Sequence, residues 1–183
     1  SKKTNCEEII RPNNAMTSDG IWIIDNKSEV KLLRKKMIDF DFKKYSKKEI
    51  QELVKKMREA MKKSNGIGLS ANQIGLDLNV FVAQADGKFY AIFNPKIIKK
   101  SEENILMEEG CLSVPEVFGN VSRAEKIWLE GFDKNNKKIK IKAWGLLARI
   151  FQHETDHLNG SIFIDKTKDL HKYVPVKEKS ADK

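Results

Sequence analysis

The chain has 183 residues, a length that suits one domain, and 40% of them are hydrophobic, which is enough to bury a substantial core. Lys and Arg outnumber Asp and Glu by 35 to 26, and the formal charge of +9 suits contact with nucleic acid or the ribosome. Lysines are spread over the whole chain, however, so a solvated surface is the simpler explanation, and no motif with interleaved aromatics indicates sequence-specific nucleic-acid binding.

The sequence predicts neither a membrane segment nor a disulfide framework. No apolar run approaches the length of a membrane span, so no membrane segment is predicted. Cys6 and Cys111 are the two cysteines, which is too few for a disulfide framework and favours a reducing compartment. Residues 1–20 are predicted to form an irregular arm, and because residue 1 is Ser rather than Met, we expect that a leader has been removed.

A lysine-rich connection precedes the first long predicted helix. We expect residues 27–45 to form an exposed excursion with local helical turns and no part in the chemistry. Ser46 and Glu49 have the spacing of a capping box, and apolar residues then recur at helical intervals. A helix is therefore predicted from Ser46 to about Ser64, with Asn65-Gly66 as its stop signal.

The middle of the chain is predicted to be a loop followed by hairpins. Gly66 and Gly68 permit close approach of a ligand, but no strand precedes them and no helix follows, so a nucleotide-binding loop is rejected. Residues 79–85 and 88–93 alternate as strands around Asp86-Gly87, and Asn94-Pro95 is expected to break the second strand, with residues 96–100 as a candidate continuation. Another hairpin is predicted from residues 125–132 and 137–143.

The motif with the clearest chemistry is H-E-x-x-H at residues 153–157. The chain has three histidines, and His153 and His157 lie four apart in a predicted helix that Gly160 closes. Residues at that spacing share one face, so both imidazoles can bind one metal ion. Glu154 points beside that face, where it can hold a water molecule, and the apolar residues before it predict a buried helix.

Catalytic sites of this type usually have three protein ligands and a water, so one ligand is missing. No downstream pattern is met: the metzincin position is Phe163, and Glu178 lies in a basic tail over residues 166–183, while Asp165, Asp169 and His171 stay open as ligands but match no pattern. Upstream, Cys111 follows Gly110 and supplies a thiolate, a strong donor to zinc or iron. Alone it would be interpreted as a small buried hydrophobe, but two metal-spaced histidines without a partner favour the ligand.

Three blocks now stand in order: Gly66-x-Gly68-x-x-Ala71-x-Gln73, Glu109-Gly110-Cys111-Leu112-Ser113 and Gln152-His153-Glu154-x-Asp156-His157. In this order and spacing they resemble the three signature motifs of peptide deformylases, and the resemblance extends over roughly residues 46–165. Three departures stand out, one of which is the segment from about Asp25 to Tyr45, longer and richer in Lys than the family's usual entry to the first helix. Ser70 replaces the family's usual Ala, and Arg149 replaces the apolar residue expected beside the methionine pocket.

The resemblance implies a metal-dependent hydrolase (EC 3.5.1.88) that removes formate from the N-terminal N-formylmethionine of new polypeptides. By the same resemblance, one domain spans residues 1–183 with an α+β fold, in which antiparallel β-sheets and hairpins pack around a central metal-binding HExxH helix. Cys111, His153 and His157 would bind the metal. Glu154 would move the proton of the attacking water, and the Gln73 amide and the Leu112 backbone N–H would stabilise the oxyanion.

Substrate contacts also follow from the resemblance. The peptide would pair as an added strand with Gly66, Ile67 and Gly68. The methionine side chain would enter a slot lined by Ile67, Met107, Leu146 and Ile150, with Glu109 and Arg123 as a supporting ion pair.

The resemblance implies Fe²⁺ as the native metal, with Zn²⁺, Co²⁺ or Ni²⁺ as alternatives that ligand type cannot separate. The expected partners are N-formylmethionyl nascent peptides, and the ribosome near its exit tunnel. Composition rich in Lys, Asn and Ile favours a eukaryotic organelle, plastid-type (apicoplast or plastid) or mitochondrial, with bacterial cytoplasm as the alternative. Two rival functions remain: a small zinc endopeptidase with the same motif, and a basic RNA-binding module with a structural metal.

Overall fold

The computed structural model describes residues 20–172 and has the predicted α+β architecture, with antiparallel strands around the HExxH helix. Its α-helices are α1 (Lys27–Leu33), α2 (Lys47–Lys63) and α3 (Gly145–Leu158), and short 3₁₀ helices cover Phe42–Lys44, Ala71–Ile74 and Phe163–Asp165. The strands are β1 (Gly68–Ser70), β2 (Val80–Ala85), β3 (Lys88–Lys100), β4 (Asn104–Cys111), β5 (Val114–Ala124), β6 (Lys126–Phe132), β7 (Lys138–Trp144) and β8 (Leu170–Lys172).

The strands form two antiparallel sheets. The larger has the order β1-β2-β3-β6-β7, and the smaller has the order β4-β5-β8. Strands β1 and β4 therefore lie at sheet edges, each with one side of its backbone not paired to a neighbouring strand of its sheet. These two edges face the cavity described below, because residues of both line it.

Helix α3 packs on one face of the larger sheet. Phe151 on α3 is fully buried and lies 5.4 Å from the Phe81 ring centroid, and Ile127 and Leu129 of β6 belong to the same apolar cluster. This packing holds the histidine-bearing helix rigidly, since a core of interlocked side chains allows little movement.

Helix α2 covers the opposite face of the same sheet, where it contacts β1 and β2. The predicted capping box is confirmed, with Glu49 N–H donating to Ser46 Oγ and Ser46 N–H donating to the Glu49 carboxylate. Met57 and Met61 are buried as predicted against Leu69 of β1. Beyond β3, the outward side chains of β7 are exposed, and those of β6 are exposed or half-buried.

The exposed excursion predicted for residues 27–45 is wrong for its apolar side chains. Leu33, Met37 and Phe40 are buried, and Met37 N–H donates to the Leu158 carbonyl at the end of α3. Arg34 forms an ion pair with Asp165. The lysines of the segment do face solvent. Their number in the sequence hid the buried apolar residues through which the segment supports α3.

Two further expectations are corrected. Asn94-Pro95 does not break β3, because a register shift between Phe93 and Lys96 lets the strand continue past the proline. Strands β4 and β5 were not predicted, although they carry the Cys111 block. The predicted arm at residues 1–20 lies outside the described residues except for Gly20, and the basic tail is described only to residue 172, where β8 pairs with β5.

Candidate active site

The structure brings the three predicted metal ligands together. Cys111 ends β4, whereas His153 and His157 lie one turn apart on α3. His157 Nε2 lies 3.1 Å from Cys111 Sγ and 3.2 Å from His153 Nε2. The three ligand atoms all lie within 4.8 Å of one another, a set that one tetrahedral metal ion with Cys-His-His ligation fits.

The electrostatics of this cluster also suit a cation. Burial alone would lower the pKa of His153, but the Cys111 sulfur and the Glu109 carboxylate raise that pKa to about 10. The cluster therefore stabilises positive charge at His153. Burial, followed by the charges of His153 and Arg123, lowers the pKa of His157, which keeps that imidazole neutral and able to ligate.

A buried polar network supports His153 from behind; it consists of Glu109, Arg123, Arg149, His153 and Asp156. Glu109 Oε2 lies 3.0 Å from His153 Nδ1 and accepts a second bond from Arg123 at 2.9 Å. Burial would raise the pKa of Glu109, but the hydrogen bonds from His153 and Arg123 outweigh it and lower the pKa to about 2. An ionised Glu109 fixes the orientation of the imidazole ring.

Arg149 is the member of this network that the sequence assigned to the pocket wall. Its guanidinium donates to Glu109 Oε1 at 2.6 Å and to the carbonyls of Val121 at 3.0 Å and Ile105 at 2.6 Å. These bonds tie α3 to both β4 and β5. Arg149 also lines the cavity, but it is 6% exposed, so its charge is neutralised within the protein rather than presented to a ligand.

Glu154 lies beside the Cys-His-His group and is held by Ser70. The Ser70 hydroxyl lies 2.7 Å from Glu154 Oε2, and both residues are buried. Burial raises the pKa of Glu154, although the charge of His153 and the bond from Ser70 oppose it. A carboxylate with a raised pKa can accept a proton and release it again, as general acid–base catalysis requires.

Gln73 and Leu112 lie next to the cluster. The Gln73 amide nitrogen donates to Ser113 Oγ at 3.1 Å and lies 3.6 Å from Cys111 Sγ, while its oxygen accepts from Ser70 N–H at 2.9 Å. The amide orientation is thus set at both ends. Leu112 directly follows the cysteine and lines the same cavity as Gln73.

A cavity of about 650 Å³ opens beside the cluster. All six predicted substrate-contacting residues line it: Gly66, Ile67, Gly68, Met107, Leu146 and Ile150. Three of them form an exposed apolar rim, with Ile67 at 52%, Met107 at 42% and Leu146 at 50% exposure, while Ile150 is buried.

The glycines of the first block make room for protein side chains. A Cβ on Gly68 would lie 2.3 Å from Glu154 Oε1, and a Cβ on Gly66 would lie 2.9 Å from Leu112 Cδ1. Gly68 is therefore required by the position of Glu154. The sequence predicts a ligand in the space beside these glycines, whereas in the structure Leu112 and Glu154 lie there.

Sequence reasoning missed several contributors to the site. Ser70 and Arg149 were noticed only as departures from a family pattern, and Ile21, Ile23 and Phe118 were not considered as cavity-lining residues. Arg149 could have been found, because it lies four residues before His153 and so on the same helical face. Phe118 gave no such signal, since it reaches the cavity through pairing of β5 with β4.

Three kinds of comparison with known proteins find the same family. The family model described as polypeptide deformylase matches residues 22–173. The peptide deformylase of Karelsulcia muelleri (strain GWSS) is 45% identical over 138 residues, covering 73% of this chain and 71% of that protein. The chloroplastic peptide deformylase 1B of Solanum lycopersicum is 35% identical over 175 residues, covering 92% of this chain and 61% of that protein.

Solved structures share the fold as well. The crystal structure of a peptide deformylase from Synechococcus elongatus in complex with actinonin has a TM-score of 0.75 at 29% identity, covering 87% of this chain and 86% of that one. Relatives thus include bacterial and chloroplastic proteins. No helix within residues 20–172 has the length and apolar character needed to cross a membrane.

Proposed function

Because the chain belongs to the polypeptide deformylase family, we propose that Cys111, His153 and His157 hold the metal ion on which its reaction depends. The protein is a hydrolase that removes the formyl group from the N-terminal N-formylmethionine of newly synthesised polypeptides and releases formate. The observation that carries the site assignment is the convergence of the three ligand atoms within 4.8 Å, next to a buried Glu154.

Each residue around the proposed metal site has a separate chemical role. When bound, the metal ion polarises the formyl group and acidifies a water molecule. Glu154 takes the proton of the attacking water and later donates it to the departing amine, while Ser70 holds its carboxylate in place. The Gln73 amide and the Leu112 backbone N–H stabilise the charge that develops on the formyl oxygen.

The peptide binds between two strand edges. Backbone from Gly66 to Gly68 lies at the β1 edge of the larger sheet, where an extended chain can add as a strand. The methionine side chain packs on the apolar rim and Ile150. We assign the catalytic domain to the whole chain, with the segment at 27–45 as a support for α3.

Fe²⁺ is the proposed native metal, with Zn²⁺, Co²⁺ or Ni²⁺ as alternatives, because one thiolate and two imidazoles suit all of these ions. Metal analysis of anaerobically purified protein tests the proposal. Retention of iron with activity that falls as iron is lost in air is expected, and full activity with zinc alone would overturn it.

The proposed compartment is a plastid-type organelle or a mitochondrion. Similarity to a chloroplastic protein over 92% of this chain supports it, whereas 45% identity to a bacterial protein supports bacterial cytoplasm. A ribosome presenting nascent chains is the proposed partner. Cell fractionation with organelle markers distinguishes the compartments.

The decisive assay compares formyl-Met-Ala-Ser with the unformylated peptide of the same sequence. Stoichiometric formate release from the first and no cleavage of the second are expected. Cleavage of internal bonds in the unformylated peptide would indicate the endopeptidase, which the family match does not favour. Tight metal binding without either reaction would indicate the structural-metal alternative.

A further inference from the structure

A second surface, formed by residues that do not line the cavity, lies on the face of the larger sheet that α2 leaves uncovered. Its outward positions define a lysine face, which consists of Lys96 and Lys99 of β3, Lys126 and Trp128 of β6, and Lys138, Lys140, Lys142 and Trp144 of β7. Strand register places these side chains on one side of the sheet, because directly paired residues point the same way.

Aromatic rings are interleaved with the charges on this face. Trp128 is flanked by two ammonium groups, with Lys99 Nζ at 4.9 Å and Lys142 Nζ at 5.3 Å from its ring. Each contact is a cation–π attraction that draws the ammonium group toward the ring. Trp144, paired with Lys126, is 63% exposed and presents its indole to solvent. This pattern escapes the linear sequence because it arises only when β3, β6 and β7 are aligned.

Few acids neutralise the lysines at these positions. Among the paired outward positions of β3, β6 and β7, Glu130 is the acidic residue, and it lies 3.6 Å from Lys138 Nζ and 3.5 Å from Lys140 Nζ. Alternate lysines on β7 lie about 6.8 Å apart, twice the rise per residue of an antiparallel strand. A row of this kind can neutralise successive phosphates of a nucleic-acid strand.

We propose that the lysine face binds RNA through its phosphate backbone, with Trp144 as a stacking platform for a base. Single-stranded nucleic acids are bound by such combinations of basic rows and exposed aromatics without sequence readout. A lipid surface fits less well, because membrane-bound faces insert exposed apolar side chains between their lysines, whereas Phe132, the apolar residue paired with Lys138, is partly buried against the core. This binding rests on the proposed ribosomal partner, and RNA is the component of that partner that the face would contact.

The test measures fluorescence anisotropy of a labelled uridine RNA of about 15 nucleotides with the full, metal-loaded chain. Micromolar affinity is expected, weakening as salt rises from about 50 to 200 mM. The triple variant Lys138→Gln, Lys140→Gln, Lys142→Gln should bind at least ~10-fold more weakly, and its salt slope should fall by about 2. Trp144→Leu should weaken binding several-fold with an unchanged salt slope, because it removes stacking and no charge.

The matched control is Lys31→Gln, Lys36→Gln, Lys168→Gln, which removes the same charge from exposed positions outside the larger sheet. It should bind RNA like the parent, and both triple variants should release formate from formyl-Met-Ala-Ser at the parental rate. Equal loss of RNA binding in the control overturns the proposal, as does equally tight binding of polyglutamate or of phosphatidylserine vesicles. Since the RNA assay contains no formyl peptide, its failure is separate from failure of the deformylase assignment.

Discussion

The buried polar network and the apolar rim both contact the cavity, yet their side chains are held very differently. Glu109, Arg123 and Arg149 are at most 7% exposed and have hydrogen bonds on nearly every polar group, whereas Ile67 and Leu146 are half exposed. The network fixes the orientation of His153, one of the proposed metal ligands. The rim offers apolar contact area but does not fix the geometry of other groups. Changes in the network should therefore alter metal binding, turnover or stability, whereas changes in the rim should alter KM.

The largest effect is expected from removing the proposed metal ligand that lies outside α3. Cys111→Ala should bind metal at least ~10-fold more weakly and lose activity, because two imidazoles alone hold a divalent ion poorly. Metal content after dialysis and the near-ultraviolet sulfur-to-metal absorption of the cobalt form are the measurements. Cys6→Ala is the control. An absorption band that persists in Cys111→Ala would remove the thiolate from the site.

Glu154→Gln separates proton transfer from metal binding. The amide keeps the size of the side chain but cannot accept a proton, so turnover should fall by about 10²–10⁴-fold while metal content stays at the parental level. Glu108→Gln is the matched control, since Glu108 lines the cavity but contacts His171 at the surface. Loss of metal from Glu154→Gln would instead make the carboxylate a ligand.

Gln73→Leu tests the oxyanion role. Turnover should fall by about 10²–10³-fold with little change in KM, because the amide acts on charge present only in the transition state. Ser113→Ala removes one of the two groups that orient the amide and should have a smaller effect of the same kind. A change confined to KM contradicts the role.

Arg149→Met tests whether a cavity-lining residue belongs to the network or to the rim. It should lower the free energy of unfolding by about 2–4 kcal/mol, because it breaks a buried ion pair and leaves two strand carbonyls unpaired. Urea unfolding of the metal-loaded protein measures the change, and Arg149→Lys, which keeps the charge, should lose less. Unchanged stability with a changed KM would place Arg149 in the rim.

Leu146→Ala should have the smallest effect. KM for formyl-Met-Ala-Ser should rise about three- to ten-fold with turnover within two-fold, since only apolar contact with the methionine is lost. Leu170→Ala removes the same side chain at 43% exposure from β8, outside the cavity, and should leave KM unchanged. Equal changes in both variants would show that the rim does not contact methionine.

The histidine helix, the capping box of α2 and the hairpins could be predicted from sequence, because each depends on residues close together in the chain. The convergence of Cys111 with His153 and His157 could be inferred only by elimination and resemblance, since it depends on β4 meeting α3 across 42 positions. Strands β4 and β5 gave no usable alternation of apolar and polar residues. Leu106 and Met107 are both exposed on the edge strand β4, so its apolar residues do not indicate a side that faces the core.

By itself the sequence determined the chemistry available to this protein: two imidazoles at ligand spacing, a carboxylate beside them, a thiol and an amide. Tertiary structure alone decided how those groups are supported. Ser70 reaches Glu154 across 84 positions, and Arg149 joins α3 to two strands through Glu109 and backbone carbonyls. The lysine face likewise exists only once three strands align. Local periodicity records which face of an element is apolar, whereas the partner of a buried polar group depends on packing between distant segments.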